Sequence, residues 1–126
     1  MIQENSTTTA ALGETLSLVH SIKNTGARGI QVYCSITVTG QDLDQFAIKV
    51  KASDDDTAQT LFNAAADFTS PTGDLIGTSG DLTALAVGTG WFKMNVDGYQ
   101  TIEVWAASGN VAGSGIVVRS SMSTQV

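Results

Sequence analysis

The chain has 126 residues, 42% of them apolar but only 14% charged, and carries a net charge of −6. A single domain of that length buries roughly two-thirds of its unfolded surface and holds a core without disulfide or metal staples. Its six cations (Lys23, Arg28, Lys49, Lys51, Lys93 and Arg119) are scattered, so no basic stripe exists to neutralise phosphates, and neither nucleic acid nor an anionic membrane is expected as a partner.

The polar remainder is hydroxyl-rich: 16 Thr and 12 Ser accompany 13 Gly and one Pro. Thr and Gly are poor helix formers, and this composition suits an all-β chain, an antiparallel β-sandwich of jelly-roll-like type. Cys34 is alone, which excludes an internal disulfide and fits a reducing compartment. The opening MIQENSTTTAALGE has neither a basic nor an apolar signal region, so the Asn5-Ser6-Thr7 sequon is expected to stay unmodified. No apolar run approaches the ~20 residues that span a bilayer.

Residues 1–12 are polar and Thr-rich; they read as an N-terminal arm, ordered only where something holds it, ahead of a sandwich domain over 13–126. Leu16, Leu18, His20 and Ile22 then alternate with Thr15, Ser17, Val19 and Ser21 as a first strand. After a turn at Asn24-Thr25-Gly26 and Gly29, Ile30, Val32, Cys34, Ile36 and Val38 alternate with polar residues and Tyr33, the clearest strand in the chain. Gly40-Gln41-Asp42 turns into a second alternation through Phe46, Ile48 and Val50. A hairpin pairing Val38 with Phe46, Ile36 with Ile48 and Cys34 with Val50 keeps one face apolar. Residues 57–68 admit a short helix or a strand followed by a loop; the latter is preferred. Residues 69–81 are turn-rich, and Leu82, Ala84 and Ala86 suggest a short strand before Gly88.

Phe92, Met94 and Val96 alternate with Trp91, Lys93 and Asn95; beyond Asp97-Gly98, Ile102, Val104 and Ala106 alternate with Thr101, Glu103 and Trp105. Parity rejects a two-residue hairpin. A three-residue loop (Asp97–Tyr99) places Trp91 opposite Trp105 and Lys93 opposite Glu103 on one outer face, although its glycine falls in the middle rather than last. An arch crossing between two sheets satisfies the same parity, and the hairpin is preferred. Gly109–Gly115 is a further turn, and Ile116, Val118, Ser120 and Met122 mark a last strand.

No catalytic, cofactor or metal site is evident. His20 has no nucleophile motif beside it, and one His and one Cys cannot bind zinc. The glycine clusters lack the residues of a phosphate loop. Asp54-Asp55-Asp56 is an acidic cluster without an EF-hand spacing, so a solvated turn is expected there rather than a calcium site. Trp91, Lys93, Glu103 and Trp105, with Tyr33 or Tyr99 beside them, form the candidate interface or ligand platform. A neighbouring subunit, a stacked sugar or intramolecular cover would each suit such aromatics.

The segment from Ala64 through Ser121, with DFTSPTG, GDLTALAVGTGWF and VDGYQTIEV, resembles small β-rich virion structural proteins of tailed bacteriophages, of capsid-decoration or head-associated type. The resemblance implies a virion component made in the bacterial host cytoplasm. Such a protein binds virion subunits (the major capsid protein or neck and tail subunits) without catalysis, as a homo-oligomer whose arm reaches its neighbours. The alternative is a carbohydrate-binding module stacking sugars on Trp91 and Trp105.

Overall fold

The computed structural model describes residues 2–24, 28–53, 55–63, 75–78, 86–108 and 113–125. The strands in these residues are β1 (Ile2–Thr9), β2 (Ser17–Lys23), β3 (Arg28–Thr39), β4 (Gln45–Lys51), β5 (Gln59–Asn63), β6 (Leu75–Thr78), β7 (Gly88–Asn95), β8 (Thr101–Ala107) and β9 (Gly115–Gln125). They form a five-stranded sheet in the order β1-β9-β3-β7-β6 and a four-stranded sheet in the order β2-β8-β4-β5. All neighbours are antiparallel. The expected β-sandwich is the fold.

One rule organises the pairing. β1 pairs β9, β2 pairs β8, β3 pairs β7 and β4 pairs β5. The chain is therefore one long antiparallel hairpin, its tip between β4 and β5, rolled so that successive pairs fall alternately in the two sheets. That is a jelly roll, with β6 added outside β7.

The roll overturns both expected hairpins. Val38, Ile36 and Cys34 of β3 stand beside Gly88, Gly90 and Phe92 of β7, while Phe46, Ile48 and Val50 of β4 stand beside Ala106, Val104 and Ile102 of β8. Residues 40–44 and 96–100 each cross from one sheet to the other. Alternation decides which face of a strand is apolar, and strands in facing sheets turn their apolar faces to the same interlayer. An arch therefore satisfies parity as well as a hairpin does. In the second arch Gly98 takes φ +97°, open to glycine at little cost, and the Tyr99 N–H donates to the Val96 carbonyl at 3.1 Å.

Three further differences have local causes. A bulge between Leu18 and His20 shifts the phase of β2: Val19 and His20 are both buried, and Leu18, expected inside, is 47% exposed beside Trp105. Residues 2–9, expected as an arm that orders where something holds it, are held by β9 over eight register pairs as the edge strand β1. β6 forms within the expected turn-rich stretch and carries its own bulge before Gly77. Over residues 59–63 the preferred strand is present as β5. The remainder of 57–68 beyond Asn63, the strand expected at 82–86 except Ala86, and residues 109–112 lie outside the described residues.

The interlayer core holds Val32, Cys34, Ile36 and Val38 of β3, Phe92 and Met94 of β7, and Ile116, Val118 and Met122 of β9. Facing them are Ile22 of β2, Phe46, Ile48 and Val50 of β4, and Ile102, Val104 and Ala106 of β8. Each large side chain so buried contributes roughly 1.5–3 kcal/mol. One end of the sandwich is tied by loop-to-loop bonds: the Leu12 N–H to the Ser114 carbonyl (2.8 Å), the Ser108 N–H to the Gly13 carbonyl (3.0 Å), and the Ser114 hydroxyl to the Gln41 and Asp42 carbonyls (both 3.0 Å). The strand faces that carry candidate function are thus held on a rigid frame.

Candidate functional site

The four expected platform residues do not come together. Trp91 and Lys93 are on β7 and point out of the five-stranded sheet; Glu103 and Trp105 are on β8, on the outer side of the four-stranded sheet. The expected Trp91–Trp105 and Lys93–Glu103 pairs are replaced by Trp91 beside Ser35, Trp105 beside Ala47 and Leu18, Lys93 beside Tyr33, and Glu103 beside Lys49 and Ser21. Assigning β7 and β8 to one hairpin caused the mispairing.

On the four-stranded sheet, Trp105 is engaged within the molecule. Its Nε1–H donates to Glu103 Oε1 at 3.1 Å, and Lys49 Nζ lies 4.0 Å from the ring centroid. Period-two spacing places 103 and 105 on one side of β8, so an indole and a carboxylate two residues apart can bond along the strand. The ammonium caps the negative face of the indole. Trp105 is consequently half-buried and Glu103 buried, so this indole offers little open ring face for a ligand.

The outer face of the five-stranded sheet is different. Tyr33 and Trp91 stack there, ring centroids 5.8 Å apart and planes 25° apart, in the offset geometry that aromatic pairs prefer. Gly77 lies against the indole edge: a Cβ at that position would sit 3.6 Å from the ring, in ordinary van der Waals contact. Tyr33 is 42% exposed. Beside it lies an open groove of about 510 Å³, bounded by Glu4 and Ser6 of β1, Arg119 and Ser121 of β9, and Tyr33 and Ser35 of β3. The register builds it. Ser6, Arg119, Ser35 and Trp91 form one cross-strand row, and Glu4, Ser121, Tyr33 and Lys93 the next. Small serines thus alternate with an aromatic wall. Local sequence reasoning singled out Tyr33 only as a companion of the tryptophans. The groove itself joins residues up to 117 positions apart (Glu4 to Ser121) and depends on knowing that β1 and β3 both flank β9.

His20 sits between the sheets as a polar clamp. Its Nδ1 lies 2.8 Å from the Thr7 hydroxyl of β1 and its Nε2 2.8 Å from the Ser120 hydroxyl of β9. In a neutral ring one nitrogen donates and the other accepts, and either hydroxyl can supply the complementary role. Burial lowers its pKa below the ordinary histidine value by disfavouring the charged ring. Cys34 is fully buried, and desolvation pushes its thiol pKa well up, which makes it an inert core residue. In the acidic cluster Asp54 lies outside the described residues. Asp55 and Asp56 are exposed, and an Asp56 carboxylate oxygen accepts the Ser53 N–H at 3.2 Å. Among the described residues no three His, Cys, Asp or Glu side chains are grouped to hold a metal ion, and no helix is long and apolar enough to cross a membrane.

No protein-family model matches the chain, and no curated protein matches it. Solved structures do. The chain is similar to the SPBc2 prophage-derived protein YomS at a TM-score of 0.58 and 8% identity, covering 97% of this chain and 94% of that one. It is also similar to a subunit of Bacillus endospore appendages described as a novel family of disulfide-linked pili, at a TM-score of 0.50 and 13% identity, covering 99% and 89%. At these identities the likeness establishes the shared fold. Neither comparison assigns a role to any residue.

Proposed function

We propose that this chain is a structural protein of a phage particle, a capsid decoration (cement) protein or a head or neck accessory, which binds other virion subunits and performs no reaction. The observation that supports this most is the correspondence with a prophage-derived protein, which covers 97% of this chain and 94% of that one. The sequence resemblance over residues 64–121 points the same way. The pilus-forming neighbour supports reading the chain as one subunit of a repeated assembly, a homo-oligomer seated at a symmetry axis. A disulfide-linked mode does not transfer, because the one cysteine of this sequence is buried in mid-strand. Quantitative mass spectrometry of purified particles tests the reading. A virion protein is recovered in a fixed multiple of the particle's symmetry; recovery only in the soluble fraction of the lysate rejects it.

A further inference from the structure

The groove on the outer face of the five-stranded sheet is assigned no role by the virion reading, and its lining is specific enough to name a ligand class. We propose that it binds a pyranose residue of a polysaccharide, with Tyr33 as the stacking wall. The proposal is independent of where in a particle the protein sits.

Tyr33 stands between the indole and the groove. Trp91 backs it from β7, whereas the groove is lined from β1, β9 and β3. The indole fixes the phenol ring, so little side-chain freedom remains to be lost when a ligand stacks on it. One face of a pyranose presents C–H groups that suit the negative face of an aromatic ring, and its rim presents hydroxyls that need both donors and acceptors. Ser6, Ser35 and Ser121 offer either role, Glu4 accepts, and Arg119 donates in a planar fork. All five line the groove. This combination, an aromatic wall with a few convergent polar groups in a concavity, is how small-molecule sites are built.

A protein partner fits the lining less well. Interface centres are depleted in Ser and Glu, and here four of the eight described lining residues are serines. The groove is also distinct from the tryptophan pair that the sequence suggested, since Trp105 is on the other sheet and is capped by Lys49.

The test is a printed array of hexose, N-acetylhexosamine and deoxyhexose oligosaccharides probed with the full chain, followed by fluorescence titration of any ligand found. Binding to at least one oligosaccharide is expected. Tyr33→Ala should weaken it about tenfold or more, Tyr33→Phe should keep it within about threefold, and Trp105→Ala should leave it unchanged. Because Tyr33 is a surface residue whose loss removes one aromatic stack, the Tyr33→Ala variant is expected to keep a cooperative melt lowered by roughly 3–8 °C, which separates lost binding from lost folding. Three results overturn the proposal. One is a silent array; another is a ligand whose affinity ignores Tyr33→Ala and Arg119→Ala. The third is a Tyr33→Ala protein that loses its place on particles while no sugar binds either form, which would make the groove a protein interface.

Discussion

Replacing His20 by Phe tests the clamp between the sheets. The ring volume is nearly kept, so no large cavity forms, but the hydroxyls of Thr7 and Ser120 each lose a partner at 2.8 Å. Thr7 is half-buried and can turn to water; Ser120 is 5% exposed and cannot readily do so. A stranded buried hydroxyl costs about 1–3 kcal/mol, and the replaced Thr7 bond adds about 0.5 kcal/mol or more, so His20→Phe should destabilise the fold by about 2–4 kcal/mol. Removing the stranded group should recover part of that loss: Ser120→Ala in the His20→Phe background should restore about 1–2 kcal/mol, whereas Ser120→Ala alone should destabilise. Urea unfolding at pH 7.5 on the four proteins gives the full cycle. A single His20→Phe change within about 0.5 kcal/mol of the parent, or strictly additive effects, would refute the clamp.

Further outcomes follow from the same structure. With its pKa lowered by burial, His20 binds a proton less readily folded than unfolded. The stability it contributes is therefore complete above the ordinary histidine value of about 6.5 and falls as the pH drops through that value toward the folded pKa. Urea midpoints between pH 7.5 and 5 should decline more steeply in the parent than in His20→Gln; equal slopes would count against it. Cys34 should resist a thiol reagent such as Ellman's in the native state and react in urea, and rapid native labelling would contradict its burial. Gly40→Ala should destabilise by about 2 kcal/mol or more in thermal unfolding, because the residue has φ +79° and a Cβ would fall on the Gly113 carbonyl oxygen; a neutral effect would mean that the 40–44 crossing is built otherwise. Lys49→Met, which removes the half-buried ammonium over Trp105, should cost about 1–2 kcal/mol in urea unfolding, between the exposed and desolvated limits of a cation–π contact; no loss would mean that the ammonium does not hold the indole.

Much of the fold was legible, but at one level only. Strict alternation over Val32–Val38 and Phe46–Val50 marked which residues face the core, and Val32, Cys34, Ile36, Phe46, Ile48 and Val50 are all buried; Ile30, expected with them, is 42% exposed where the β3–β9 register shifts. It could not tell which strand lies beside which, because a hairpin and a sheet-crossing arch share one parity. The middle position of Gly98 was the available warning, since a three-residue hairpin wants its left-handed residue last. Leu18 was misplaced because a bulge adds a residue that periodicity counts as a change of side. β1 was hidden for a different reason. Its strand comes from eight backbone pairings with β9, not from an apolar face of its own, and Thr-rich polar sequence gives no sign of a partner more than 100 residues away. The candidate site suffered most. Trp91 and Trp105 were correctly sensed as outward-facing, yet the groove beside Tyr33 depends on β1, β9 and β3 lying side by side, and pairing is the information that composition and spacing do not hold.

Electron cryomicroscopy of particles made with and without this chain tests a virion role most directly. A structural subunit predicts that the complete particles carry, at symmetry-related positions, a density that fits a 13.1 kDa jelly roll, and that particles lacking the chain lose that density and no other. Identical maps from the two preparations would contradict it.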